Sequence, residues 1–217
     1  MNTLDITNYD GQQLERFFDH LTLPSLSHFT FHGELGDETP RMSSMLTRSS
    51  TFKALVHLGV RIHSIRSMEP LRWHLSQIME AAPHVETLEI LCKCENYFYT
   101  AADEVFEILT IADGRRLLPK VQTLVYTPEW LRGLGNGEAL VNMMASRRHT
   151  NRGSSVSQLV SVCIIEYSSF QRLWEGITAS ALAKLREFSR EKVLSVKITG
   201  GYNELIEQSD QPLLEIE

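Results

Sequence analysis

The sequence predicts an α/β repeat protein in which about seven parallel strands form one sheet and helices cover one side of it. Three observations lead there. When seven short segments are stacked, three columns are apolar throughout: Met1, Leu26, Leu55, Val85, Val121, Leu159, Val193; Leu4, Phe29, Leu58, Leu88, Leu124, Val162, Val196; and Ile6, Phe31, Val60, Ile90, Tyr126, Ile164, Ile198. The column just before the central apolar residue, Thr3, His28, His57, Thr87, Thr123, Ser161, Ser195, contains no apolar side chain. A background of 42% hydrophobic residues does not readily fill three columns while emptying a fourth. Between the segments, apolar residues return with a helical period.

The elements follow in order. Around Leu4 the alternation with Ile6 gives a first strand, and Leu14, Phe17, Phe18 and Leu21, at i, i+3, i+4 and i+7, give the helix after it. Leu26-Ser27-His28-Phe29-Thr30-Phe31 is the second strand, and Thr39 before Pro40 opens the next helix. The third strand centres on Leu58, and Leu71, Leu75, Ile78, Met79 and Ala82 form the apolar stripe of the helix that follows. Val85-Glu86-Thr87-Leu88-Glu89-Ile90 is the fourth strand; Thr100, three residues before Asp103, starts a helix with Val105, Ile108, Leu109 and Ala112 on one face. The fifth strand centres on Leu124, with a helix start at Asn136 before Gly137 and Glu138. The sixth centres on Val162, with Ser169 heading the longest helical stretch, and the seventh on Val196. Successive central residues are 25, 29, 30, 36, 38 and 34 positions apart, which is repeat-sized spacing.

Strands joined through helices run parallel, since no hairpin turn connects them. A parallel sheet covered on both faces reads as continuous apolar runs, whereas polar residues stand between the columns here: Asp5, Thr30, Glu89 and Lys197, with Gly59, Val125 and Cys163 as exceptions. One face is therefore expected to be wet. The architecture with that property is the leucine-rich-repeat-like solenoid, a horseshoe with its sheet on the concave face and helices on the convex face; a doubly wound α/β domain is the runner-up. Residues 1–202 form this single domain, and residues 203–217, with Glu204, Glu207, Asp210, Glu215 and Glu217, an acidic C-terminal tail.

Composition narrows the function classes. Twenty-seven acidic residues against 21 Lys and Arg, a net charge of -6, argue against nucleic acid or an anionic membrane as the main partner. Neither a long apolar run nor a signal-peptide pattern is present. Three cysteines, Cys92, Cys94 and Cys163, are too few for a disulfide framework, so a cytoplasmic or nuclear location is expected.

The phrases Leu23-Pro24-Ser25-Leu26-Ser27-His28-Phe29-Thr30-Phe31, Met45-Leu46-Thr47-Arg48-Ser49, Leu118-Pro119-Lys120-Val121-Gln122-Thr123-Leu124 and Leu140-Val141-Asn142-Met143-Met144-Ala145-Ser146-Arg147, then Leu159-Val160-Ser161-Val162, resemble the degenerate leucine-rich repeats of F-box-like proteins from mushrooms. The resemblance implies a non-enzymatic adaptor: an F-box docks on a cullin-based ubiquitin ligase, and the repeats capture the protein to be ubiquitinated. This chain opens inside its first strand, so docking would require an F-box upstream. The family's asparagine ladder is missing as well, its position reading Tyr9, Glu34, His63, Lys93, Glu129, Tyr167 and Gly201.

The concave rows are the expected binding surface for a protein partner: His28, Thr30, His32, His57, Arg61, Thr87, Glu89, Leu91, Thr123, Val125, Cys163, Ile165 and Lys197. The first half is histidine-rich and becomes cationic at mildly acid pH, while Leu91, Val125, Cys163 and Ile165 make the later half more apolar. No metal and no cofactor is expected. His28 and His32 are about 13 Å apart along a strand, and a His28–His57 pair across strands lacks third and fourth ligands. Cys163, between Val125 and Lys197, has no histidine as a base, and Leu134-Gly135-Asn136-Gly137 lacks the ending of a phosphate loop. The basic run Arg147 to Ser155 reads as a solvated loop. Two other functions stay open: a small cytosolic α/β enzyme with a site at the carboxyl ends of the strands, and a degenerate copy without a retained role.

Overall fold

The computed structural model describes residues 2–8, 14–50, 55–65, 69–92, 101–112, 117–128, 134–148, 156–166 and 176–198. In chain order the elements are β1 (Thr3–Asn8), α1 (Leu14–His20), β2 (His28–Leu35), α2 (Thr39–Ser50), β3 (His57–Ile65), α3 (Leu71–Glu80), β4 (Thr87–Cys92), α4 (Ala101–Leu109), β5 (Thr123–Thr127), α5 (Glu138–Arg148), β6 (Ser161–Glu166), α6 (Ala179–Arg190) and β7 (Leu194–Ile198). The strands form one seven-stranded sheet in the order β1 to β7, every neighbouring pair parallel. With strand order equal to chain order and crossovers of one hand, the helices fall on one side of the sheet. They pack in sequence, α1 on α2 and so on to α5 on α6, as a single layer among the described residues.

The apolar columns are the core. Leu26, Leu55, Val85, Val121 and Leu159 are buried, as are Phe29, Phe31, Leu58, Val60, Leu88, Ile90, Leu124, Tyr126, Val162 and Ile164, in one cluster with the inner faces of the helices. The expected register holds strand by strand from β1 to β6, for example Thr3 beside His28, His28 beside His57, His57 beside Thr87, Thr87 beside Thr123 and Thr123 beside Ser161. A backbone motif fixes it: at each step one carbonyl accepts two successive N–H groups from the next repeat. Asn2 O takes Ser27 and His28, Ser27 O takes Val56 and His57, Val56 O takes Glu86 and Thr87, Glu86 O takes Gln122 and Thr123, and Gln122 O takes Val160 and Ser161, all at 2.8–3.0 Å.

At β7 the register departs from the expected one. Val162 pairs with Leu194 and Ile164 with Val196, two residues away from the predicted Val162–Val196 match. The α6 end explains it. Glu191 N donates to Glu187 O, Lys192 N to Ser189 O and Val193 N to Phe188 O, with Lys192 in the left-handed region at φ 59°, so the chain turns into the strand within a few residues of Arg190. Val162 N then donates to Val193 O at 2.7 Å, and the repeated double-acceptor motif stops. A slip of two residues keeps the same side chains on the same face, so the hydrophobic pattern cannot oppose it.

At two helix ends, backbone groups are bonded by side chains from the next helix. Arg48 of α2 donates to Phe18 O, Asp19 O and Leu21 O at the end of α1, and Ser49 Oγ accepts from Leu23 N. Arg147 of α5 donates to Leu109 O at the end of α4 and to Leu117 O and Leu118 O, and Ser146 Oγ accepts from Ile111 N. Both guanidiniums donate to carbonyls at or beyond a helix terminus, where intrahelical partners run out. Arg147 is thus no loop residue: it is 1% exposed, and burial pushes its guanidinium pKa down to about 10, still protonated at neutral pH.

Smaller corrections follow the same logic. Phe17 is exposed, because α1 turns only its Phe18 side fully inward. Ala112 lies beyond α4, which closes at Leu109 where Arg147 takes the carbonyl, and it is exposed. Thr39 begins α2 as expected, but its Oγ1 bonds the Nδ1 of His74 at 2.9 Å, both groups fully buried. Asn136 caps α5 through Oδ1, which accepts from Glu138 N at 2.9 Å. Thr100, Ser169, Cys94, the loop 149–155 and the tail 203–217 lie outside the described residues.

Candidate functional site

Alternation along each strand sends the polar residues to the side of the sheet opposite the helices, here called the open face. Along β2 the residues from Phe29 to Leu35 alternate between buried and half-buried. The rows across the sheet are Thr3, His28, His57, Thr87, Thr123, Ser161; Asp5, Thr30, Gly59, Glu89, Val125, Cys163, Ser195; and Thr7, His32, Arg61, Leu91, Thr127. Most of these side chains are half-buried or exposed; Gly59, Leu91 at 8% and Thr127 at 3% are buried.

The structure brings the front of this face together into pairs. The rings of His28 and His57 stack with centroids 5.5 Å apart, and Ser27 Oγ lies 2.8 Å from His28 Nδ1. Arg61 reaches diagonally to β4, where its Nε and a terminal nitrogen donate to one oxygen of Glu89 at 3.1 and 2.8 Å. Gly59 lies between the strands that carry Thr30 and Glu89; a Cβ there would be 3.0 Å from Thr30 Cγ2. Burial holds the His57 imidazole below the ordinary value, with His28 and Arg61 acting in the same direction and Glu89 and Asp5 against it.

One site residue escapes the periodic reading. Between β2 and β3 the register shifts after Gly33: Gly33 is beside Ile62, but Glu34 is beside Ser64. His63 is the extra residue, and its ring lies against that of His32, centroids 4.3 Å apart, with the two Nε2 atoms facing one another. Ser64 Oγ donates to Glu34 Oε1 at 2.6 Å. A strand bulge cannot be read from alternation, because it breaks alternation.

The later part of the face is plainer. Val125, Cys163 and Ile165 are half-buried, and Thr123 stands beside Ser161. Cys163 has Val125 and Ser195 as lateral neighbours; the expected Lys197 is instead beside Ile165, through the two-residue slip, and its side chain lies outside the described residues. Cys92 is in the core, 1% exposed. Among the described residues, no three of His, Cys, Asp and Glu gather as metal ligands, and no helix is long and apolar enough to cross a membrane. A polar groove of about 510 Å³ between α2 and α3, lined by Ser43, Ser44, Thr47 and Gln77 among others, lies on the helix side, away from these rows.

Comparison with protein-family models, with curated proteins and with solved structures finds no match to this chain.

Proposed function

We propose that this chain is a non-enzymatic protein-interaction module: a leucine-rich-repeat-like solenoid whose sheet curves and whose open face receives a protein partner. The observation that supports this is the face itself, half-buried polar and apolar side chains in register across adjacent strands with no helix of the described residues against them. Its paired front and apolar rear suit a polypeptide offering polar groups to the first and apolar ones to the second. In the wider setting suggested by the family resemblance, the module is the substrate-recognition part of an F-box-type ubiquitin-ligase adaptor in the cytoplasm or nucleus, with the F-box supplied by further chain.

The test compares substitutions on the two sides of the sheet. Thr87→Arg with Val125→Arg alters half-buried positions of the open face, and Ser44→Arg with Arg186→Glu alters exposed helix positions. Partners recovered from the native cell are purified and tested against each form in binary binding. The expected outcome is a binary interaction lost only in the open-face variant, with unchanged circular dichroism. Equal binding by both forms would count against the open face.

The α/β enzyme reading has one observation in its favour. His32, Glu34, His63 and Ser64 come together near the carboxyl ends of β2 and β3. Within this group Ser64 Oγ donates to Glu34 Oε1.

A further inference from the structure

We infer that the front of the open face is a proton-operated switch, in which mild acidification opens the contact between His32 and His63 and turns the face from net negative to net positive. The two imidazoles are on adjacent strands, half-buried, with their Nε2 atoms facing one another across the β2–β3 seam. Such a contact needs a proton on one nitrogen and a lone pair on the other, so at neutral pH the rings are opposite tautomers. A first extra proton is accommodated at the far nitrogen of the donor ring, and its charge strengthens the hydrogen bond. A second has only the facing lone pair left, where it sets N–H against N–H and cation against cation, and the rings part. The protons are therefore taken up in two steps that belong to the pair.

The strands around the pair decide what its opening does. His63 is the extra residue of the β3 bulge, so its movement disturbs no paired position of the ladder. Arg61, beside His32 and bonded to Glu89 of β4, is a fixed positive charge on this face. Among the described residues of β1 to β4 there, the carboxylates of Asp5, Glu34 and Glu89 outnumber it until the imidazoles are charged. His28 and His57 add to the reversal by a different route. Ser27 Oγ donates to Asn2 O at 2.9 Å, so it accepts from His28 Nδ1 at 2.8 Å and leaves the Nε2 of His28 for the incoming proton. These two rings stack with centroids 5.5 Å apart, and no bond between their nitrogens has to break. Burial, with His28 and Arg61, holds the His57 pKa below 6.5 against Glu89 and Asp5, so its charge also arrives in the acid range. For the protein-binding reading, on which this consequence rests, a partner segment matched to the face at neutral pH is released as the pH falls through about 6.

The experiment is an NMR titration of the imidazole signals of the ¹⁵N-labelled full chain from about pH 8 to about pH 5. It needs no partner, so failure of the switch and failure of the protein-binding reading are told apart. His32 and His63 are expected to share two proton-uptake steps at least about one pH unit apart. The nuclear Overhauser contact between their rings should persist through the first step and vanish in the second, while circular dichroism stays native. Two variants isolate the effect of charge. His63→Gln removes the coupling and His63→Arg makes the charge permanent, so His32 should take up its proton about one pH unit or more lower in the second variant than in the first. Single, independent steps for both rings, an unbroken ring contact at the acid end, coincident His32 curves in the two variants, or unfolding of the chain before the second step would each overturn the inference.

Discussion

The front and rear of this sheet share one backbone ladder and differ in everything attached to it. From β1 to β4 the open face is held by side chains touching side chains: His28 on His57, His32 on His63, Arg61 on Glu89. From β5 to β7 the same face presents Val125, Cys163 and Ile165, and the strong polar contacts move to the helix side, where the buried Arg147 donates to three carbonyls. The front has its counterpart in Arg48, which is only half-buried. Register, set by the core and by carbonyls that accept pairs of N–H groups, therefore leaves open-face chemistry free to vary.

Removing the two guanidiniums sharpens that comparison most. Arg147→Ala removes a buried donor from Leu109 O and Leu118 O and a part-buried one from Leu117 O, and is expected to cost about 3 kcal/mol, against about 1 kcal/mol for the more exposed Arg48→Ala. Urea denaturation of the two variants measures both. Equal losses would mean that burial does not separate front from rear.

Acid should act on the front first. His74, fully buried against Thr39, has its pKa lowered from 6.5 by desolvation, and His57 is lowered in the same direction. In each case the unfolded chain takes up a proton that the folded chain resists. Stability is thus complete above pH 6.5 and declines as pH falls below it, until the folded-state value is passed. Hydrogen exchange at about pH 7.5 and about pH 5.5 should show α2, α3 and β3 losing protection before α5 and β6, and His74→Leu should reduce the difference. Uniform loss along the chain would contradict this.

The smallest effect concerns Arg61 and Glu89. Both side chains are partly exposed, so a double-mutant cycle with Arg61→Ala and Glu89→Ala should give a coupling of only about 0.2–1 kcal/mol. A larger value would make the front of the face a structural element and less a surface held ready for a partner.

Much of the fold was legible in the sequence, for a definite reason. Apolar columns with period two fix which residues face the core, and in five strand pairs they also place the rows, down to Thr87 beside Thr123. They determine register only to within two residues, which is why β7 slipped: Leu194 serves beside Val162 as well as Val196 would by pattern. His63 was hidden by its bulge. Arg147 and His74 were hidden because a charged or titratable residue on a helix reads as solvated until the partners it meets are known; the signal available for Arg147 was the helical spacing of Leu140, Met143, Met144 and Arg147, which puts it on the inner stripe. Of the expected site, His28 meets His57 and Arg61 meets Glu89, whereas Cys163 and Lys197 are not lateral neighbours.

The central claim is that the side of the sheet away from the helices is accessible and is where recognition occurs. Thiol alkylation of Thr123→Cys, followed in the full chain with and without a partner shown to bind it in isolation, measures both halves of that statement. Fast modification in the free chain, against slow modification of buried Cys92, and slowing on addition of the partner are the predicted results. Modification as slow as that of Cys92, or a rate the bound partner leaves unchanged, would contradict it.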